Sequence, residues 1–304
     1  MRAVFCCVAG LIALSAGGCG RERAASAPSM APVVLVDDQS DTVRLTRPAT
    51  RVISLIPSAN ETLIALGAAN RIVGRTRYDV DTAIIGKPLI GSGLAPNLES
   101  ILSLRPDLVI VWASDKRRDV QAQLIRAGVA TLALTLQDTT DAYRALTLLG
   151  DAVGERGRAT MLTDSIRRTL TATRASIAGA KAPRVFYVVF NDPPMTTGPN
   201  TFIAQILAVA GGDNVFADAV TNWPTIPMEE LVRRDPDVIV LPVGEMPDSA
   251  VTRLHVLPGW RDLRAVREGR IVRIDANLSS RPGPNMGRAA VTLRDLLHPA
   301  QAAK

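Results

Sequence analysis

The chain has 304 residues, of which 47% are hydrophobic and 21% are charged, a balance typical of folded globular proteins. This composition excludes a disordered chain and a bundle of membrane-spanning helices, and the length allows two lobes of ordinary domain size. The net charge of +6 comes from 35 basic residues interleaved with 29 acidic ones, so it indicates no nucleic-acid partner.

Residues 1–18 predict an export signal. Arg2 precedes an apolar stretch, "AVFCCVAGLIALSA", which is long enough for such a signal and too short to span a membrane. The stretch ends in "AGGC", which resembles a bacterial lipoprotein processing site and would leave Cys19 as the lipidated first residue. A plain secretory signal with an incidental cysteine is the alternative. We therefore expect a periplasmic or cell-surface protein anchored by lipid to a bacterial membrane, with residues 19–48 forming a tether and a lead-in hairpin.

All three cysteines lie within the first 19 residues. The folded part can therefore hold neither a disulfide nor a thiolate metal site.

Short apolar runs alternate with helical patterns over residues 49–150. "RVISLIP" predicts a buried strand, "SANETLIALGAA" a helix that stops at Gly67, and "RIVGRTRY" a second strand. Residues 182–304 repeat this order, beginning with "RVFYVVF". Between them, residues 151–181 contain an apolar stripe without proline, which predicts one long connecting helix. The predicted fold class is α/β, with two parallel-sheet lobes joined by a single long helix.

One helix–turn–strand pattern occurs twice. "NLESILSLRPDLVIV" (97–111) and "PMEELVRRDPDVIVL" (227–241) place Glu99 and Glu229 at the same position of the repeat. A carboxylate in a first helical turn stabilises the helix by about 0.3–1 kcal/mol, which explains either glutamate alone. The repetition favours a second interpretation, in which each lobe presents one carboxylate to a partner that is itself two-fold.

Distinctive side chains follow the predicted strands. Pro57, Tyr78 and Trp112 come after strands of the first lobe, while Asn191 and Trp223 belong to segments between strands of the second. Ligands of open parallel sheets bind beyond the carboxyl ends of the strands. Because aromatic residues are only 4% of the chain, their grouping there predicts a cleft for a large, flat or apolar ligand. A buried anchoring role is the alternative for each aromatic side chain.

Two further residues complete the prediction. Arg281 lies in a late Pro/Gly-rich loop, where it can either reach a ligand oxygen or be an ordinary loop arginine. Trp260 introduces a surface helix, and we assign it to packing. The chain has two histidines and no motif with a nucleophile and a base, so we predict no enzyme, no metal site and no cofactor. An exported α/β hydrolase is the distant alternative.

From about residue 51 to 299 the chain resembles the Fe/B12 periplasmic-binding domain family. These proteins are the solute receptors of ATP-binding cassette (ABC) importers for cobalamin, haem and ferric siderophores. The resemblance is carried by "RVISLIPSANETLIALGAANRIVGRTRY", "NLESILSLRPDLVIVW", "GPNTFIAQILAVAGGDNVFAD", "IPMEELVRRDPDVIVL" and "LPGWRDLRAVREGRI". It implies two lobes bridged by one helix, with an ABC permease and its ATPase as partners. We expect a monomer.

Within the family the chain is most similar to the vitamin B12 receptors. That resemblance implies that Tyr78, Trp112 and Trp223 line a corrinoid cleft and that the loop of Arg281 touches ligand. It also implies that Glu99 and Glu229 engage arginines on the two permease subunits. One departure is that the tryptophan expected before the first glutamate helix falls near Gly93. Another corrinoid, haem or a ferric siderophore therefore stays open as the ligand.

Overall fold

The computed structural model describes residues 31–114, 118–244 and 254–299. The predicted signal segment, Cys19 and most of the tether lie outside these ranges. The lead-in hairpin is present as strands β1 (Val33–Val36) and β2 (Thr42–Leu45), which pair antiparallel. Asp37 closes its turn by accepting hydrogen bonds from the N–H groups of Gln39 and Asp41, both at 2.9 Å. The same carboxylate also accepts the N–H of Ala133, which ties the hairpin to the first lobe.

The first lobe is a four-stranded parallel sheet with helices on its faces. Its strands lie in the order β4-β3-β5-β6, and β5 is almost wholly buried, as a central strand covered on both faces should be. The elements are β3 (Val52–Ser54), α1 (Pro57–Ala65), β4 (Ile72–Gly74), α2 (Leu98–Ser103), β5 (Leu108–Trp112), α3 (Arg118–Arg126) and β6 (Ala130–Leu134).

The second lobe repeats this arrangement. Its parallel sheet has the order β10-β7-β11-β12, so in both lobes the first strand lies between the second and the third. The lobe adds a small antiparallel pair, β8–β9. The elements are β7 (Arg184–Tyr187), β8 (Phe190–Asn191), β9 (Pro194–Met195), α6 (Phe202–Val209), β10 (Asp213–Asn214), α7 (Met228–Arg234), β11 (Val238–Val243), α8 (Arg264–Arg267), β12 (Ile271–Asp275), α9 (Ala276–Ser279) and α10 (Met286–Leu297).

Two helices join the lobes: α4 (Thr139–Ala152) and α5 (Arg156–Ser176). The 21 residues of α5, at about 1.5 Å each, span roughly 30 Å within the segment predicted to connect the lobes. Leu162 of α5 packs against the buried cores of both lobes. Sequence analysis did not identify α4, whose Ala145 and Leu149 belong to the core of the first lobe and whose Ala142 and Leu146 belong to that of the second.

The Pro-Asp pair of the repeated motif has a structural role in each lobe. The carboxylate of Asp107 accepts the N–H groups of Thr50 and Arg51, and that of Asp237 accepts the N–H of Arg184. Each aspartate therefore holds the start of the first strand of its own lobe. The residues before the two prolines both have left-handed backbone angles, with φ of 45° at residue 105 and 39° at residue 235. The two turns are thus the same turn, used twice.

No helix within the described ranges is both long enough and apolar enough to cross a bilayer.

Candidate ligand-binding cleft

A cavity of about 210 Å³ opens at the carboxyl ends of the strands of the second lobe. Tyr187 ends β7, and its hydroxyl group lies 2.8 Å from the hydroxyl of Ser279 and 3.1 Å from that of Ser280. Trp223 also lines the cavity and leaves 47% of its surface exposed. The remaining lining residues are mainly apolar: Val188, Val189, Ile203, Pro242 and Ala276. The second lobe therefore offers an apolar, aromatic surface where a parallel sheet places ligands.

On the first lobe, the predicted cleft residues also follow strands. Pro57 begins α1 directly after β3, and Trp112 is the last residue of β5, partly buried against the core. Tyr78 lies in the segment after β4 and is 46% exposed. All three thus lie at the carboxyl edge of the first sheet. The side chain of Tyr78 is exposed there, and that of Trp112 is partly buried.

Gly93 lies where the resemblance leads one to expect a tryptophan. A Cβ atom on Gly93 would come within 2.2 Å of the carbonyl oxygen of Leu55, and it would stand 3.6 Å from the indole nitrogen of Trp112. The backbone therefore occupies the space that a side chain would need. The close approach of residue 93 to Leu55 therefore requires glycine in this structure.

Arg281 joins the two lobes. Its guanidinium group donates to Glu61 Oε1 at 2.8 Å and to the carbonyl oxygen of Tyr78 at 3.1 Å. Glu61, on α1, also accepts the side-chain amide of Asn285 at 3.3 Å. Both members of the ion pair are largely buried, with side-chain exposures of 11% for Arg281 and 16% for Glu61. Burial raises the pKa of Glu61 above its ordinary value, although Arg281 and Asn285 act in the opposite direction.

The structure thus brings Arg281 to Tyr78, and it places Ser280, the neighbour of Arg281, in the cavity of Trp223. Sequence analysis missed Glu61. Its only signal is the run of three polar residues, Asn60 to Thr62, at the centre of helix α1.

Asn191 and Trp260 meet in the second lobe. The indole N–H of Trp260 donates to the carbonyl oxygen of Asn191 at 3.1 Å. Trp260 is 2% exposed and stands edge-on to Phe186, with ring centroids 5.8 Å apart. The packing role predicted for Trp260 is confirmed. The main-chain carbonyl of Asn191 contributes to that packing by accepting the hydrogen bond of the indole N–H.

Glu99 and Glu229 are both exposed, in the first turns of α2 and α7. Neither forms an ion pair with any residue in the described ranges. Glu230, by contrast, is bound by Arg233 at 2.7 Å and Arg234 at 2.6 Å. The side chain of Asn97 caps α2 by accepting the N–H of Ser100, and Pro227 is the N-cap residue of α7.

A family profile described as "Periplasmic binding protein" matches residues 52–278. That match covers about three quarters of the chain, including both sheets. The chain belongs to the periplasmic binding protein family. The family membership and the fold class predicted from the sequence are confirmed.

Individual relatives agree with this assignment. The chain is 28% identical over 302 residues to an uncharacterized ABC transporter substrate-binding lipoprotein of Bacillus subtilis, covering 95% of both proteins. It is 27% identical to a cobalamin-binding protein of Halobacterium salinarum, covering 88% of this chain and 74% of the relative. Among solved structures, a periplasmic haem-binding protein of Pseudomonas aeruginosa matches with a TM-score of 0.76 and 27% identity, covering 83% of this chain and 94% of that one.

In the described part of the chain, no group of three or more His, Cys, Asp or Glu side chains is placed to hold a metal ion. The polar groups of the cleft are instead hydrogen-bonding groups: hydroxyls, amides and the Arg281–Glu61 pair.

Proposed function

We propose that this protein is the solute-binding protein of an ABC importer, which captures a corrinoid between its lobes and delivers it to the permease. The observation that carries this proposal is the pair of exposed aromatic side chains, Tyr78 on one lobe and Trp223 on the other, at the carboxyl edges of two parallel sheets. The faces of exposed aromatic side chains at such an edge suit a large ring.

The relatives support the same ligand class, since one of them is named as a cobalamin-binding protein. The haem-binding structure keeps haem as the competing ligand, because a haem is also a large, flat ring around a metal. We further propose that the protein is exported, anchored through Cys19, monomeric and without catalytic activity. Glu99 and Glu229 serve as the docking carboxylates.

The proposal is tested by titrating the purified protein with cyanocobalamin and, separately, with haemin. We expect cyanocobalamin to quench tryptophan fluorescence, because Trp112 and Trp223 lie at the cleft, and Trp260 to retain the residual signal. Trp223→Ala should weaken binding by about tenfold, through loss of one aromatic contact and its apolar area. No quenching up to high micromolar cyanocobalamin, or saturable binding of haemin alone, would overturn the corrinoid assignment.

A further inference from the structure

A groove of about 520 Å³ lies between α4, α5 and α6, and none of the described residues lines both this groove and the cavity of Trp223. Helix α5 forms one wall of the groove. Arg167, Leu170 and Arg174 line it, and their spacing of three and four residues places them on one face of that helix. The Cα atoms of the two arginines are roughly 10 Å apart along the helix axis, at about 1.5 Å per residue. The wall thus carries a cationic group on either side of an apolar side chain.

Both arginine side chains are accessible to a ligand. Each is exposed, and neither forms an ion pair in the part of the chain that the structure describes. The guanidinium group of Arg167 stands over the ring of Tyr143, 4.9 Å from its centroid, which holds this charge beside the groove. The acids at the start of α4 are engaged elsewhere, since Asp138 caps the helix and Asp141 pairs with Arg144 at 2.7 Å. No acidic residue within the described ranges lines the groove.

The opposite wall adds a neutral hydrogen-bond donor. The side-chain oxygen of Gln205, on α6, accepts the N–H of Thr139 at 2.9 Å and the hydroxyl of the same residue at 2.7 Å. A main-chain N–H only donates, so the amide oxygen must face Thr139 and the amide NH2 group must point away from it. That NH2 group forms no hydrogen bond with any described residue and is not buried, so a ligand acceptor can reach it. Ala208 and Val209 make the remainder of this wall apolar.

These features define a ligand by its charge and its length. A guanidinium group binds a carboxylate or phosphate through charge-assisted hydrogen bonds. Two such groups about 10 Å apart on one helix face match an anion with an acidic group at each end. Octanedioate is an anion of this kind, because its extended chain holds the two carboxylates about 8–9 Å apart. The apolar side chains between the arginines and on the opposite wall suit its hydrocarbon middle.

We infer that the groove between α4, α5 and α6 is a second binding site, which takes an elongated dianion with an apolar middle. Arg167 and Arg174 each bind one of the two acidic groups, and Gln205 donates a further hydrogen bond to the ligand. The site is separate from the proposed corrinoid cleft. The inference therefore does not depend on the proposed function.

The test uses three carboxylates as probes: octanedioate, butanedioate and octanoate. Isothermal titration calorimetry at low ionic strength measures the Kd of each, because salt screens exposed charges. We expect octanedioate to bind saturably and about fivefold more tightly than either of the others. Butanedioate is too short to reach both arginines, and octanoate has only one carboxylate. Added salt should weaken the binding of octanedioate.

Two variants locate the site. Arg174→Gln removes one of the two charges and should weaken octanedioate binding about fivefold, to the affinity of octanoate. Arg168→Gln is the matched control, since Arg168 is also exposed on α5 but does not line the groove. It makes the same change of net charge and should leave the Kd of octanedioate within about twofold.

Each of three results would overturn the inference. The first is no saturable binding of octanedioate up to high millimolar concentration. The second is an equal affinity for octanedioate and octanoate, which would show that the two arginines do not act together. The third is an equal loss of affinity in Arg174→Gln and Arg168→Gln, which would show an effect of net charge rather than of the groove. The cyanocobalamin titration of the same protein tests the proposed function separately.

Discussion

At the scale of single residues, the clearest constraint is on Gly93, which packs its backbone against the carbonyl oxygen of Leu55. This contact lies beside Trp112, whose indole nitrogen would stand 3.6 Å from a Cβ atom on residue 93. A side chain here must displace the backbone of either segment. The close approach therefore requires glycine at a position where the resemblance leads one to expect a tryptophan.

We predict that Gly93→Ala lowers the free energy of unfolding by about 1–3 kcal/mol, the range for overpacking a tight site. Gly86→Ala is the matched control, because a Cβ atom there meets no atom within 4 Å and residue 86 is outside the left-handed region. Urea denaturation of the two variants measures the difference. Equal free energies of unfolding for Gly93→Ala and Gly86→Ala would show that the backbone at Leu55 moves away from residue 93 at little energetic cost.

At the scale of elements, the two copies of helix, turn and strand place a first-turn glutamate at the carboxyl edge of each sheet. Glu99 and Glu229 are both exposed, and neither forms an ion pair within the described ranges. The adjacent Glu230, by contrast, forms ion pairs with two arginines. Glu230 also lies in the first turn of α7 and would stabilise the helix dipole equally well, so the dipole alone does not account for Glu229. The shared features support docking as the role of the repeated pair.

We predict that Glu99→Arg combined with Glu229→Arg abolishes ligand uptake by cells and leaves the Kd of the ligand within about twofold. The physical reason is like-charge repulsion against basic residues of the permease, while neither glutamate lines the cavity of Trp223. Asp164→Arg with Asp213→Arg is the control, since it makes the same change of charge at exposed sites on α5 and at the amino end of β10. Weakened ligand binding in the glutamate variant would assign the two carboxylates to the cleft.

At the scale of the whole molecule, α4, α5 and the Arg281–Glu61 pair are among the contacts that hold the lobes together. The helices share their apolar side chains between both cores, which opposes wide bending. The ion pair joins the lobes beside the cleft, through residues that belong to neither α4 nor α5. Opening of the cleft therefore exposes Glu61 and Arg281 to water.

The Glu61 carboxyl group makes the free energy of unfolding depend on pH. Its pKa is raised in the folded protein, so the folded state binds this proton more tightly than the unfolded state does. The stability contributed by this group is present below its ordinary pKa and is lost as the pH rises through the raised value. Arg281 limits that loss by pairing with the ionised form.

We predict that Arg281→Gln is less stable than the unaltered protein by about 2 kcal/mol at pH 8, and by less at pH 5, because a buried carboxylate loses its partner. The double variant with Glu61→Gln should remove this pH dependence. Chemical denaturation at both pH values provides the measurement. A stability deficit of Arg281→Gln that is the same at pH 5 and pH 8 would contradict the assignment to Glu61.

Periodicity and repetition along the chain were sufficient for the main architecture. Apolar runs such as "DLVIV" predict buried strands because a strand covered on both faces has no room for polar side chains. The repeated glutamates and the packing role of Trp260 could also be read from the sequence. Helix α4 was not identified, although Ala142, Ala145 and Leu149 recur at helical spacing; what the sequence does not show is that the two lobes share its apolar face.

The sequence by itself determined two similar parallel-sheet lobes, the helix between them and the aromatic residues that follow their strands, since these depend on local periodicity. Only the tertiary structure decided how the lobes meet. The Arg281–Glu61 pair joins residues 220 positions apart, and Asn60 and Asn277 share a cavity although they belong to different lobes. Contacts of this kind arise from the packing of one lobe on the other, which no pattern of neighbouring residues encodes.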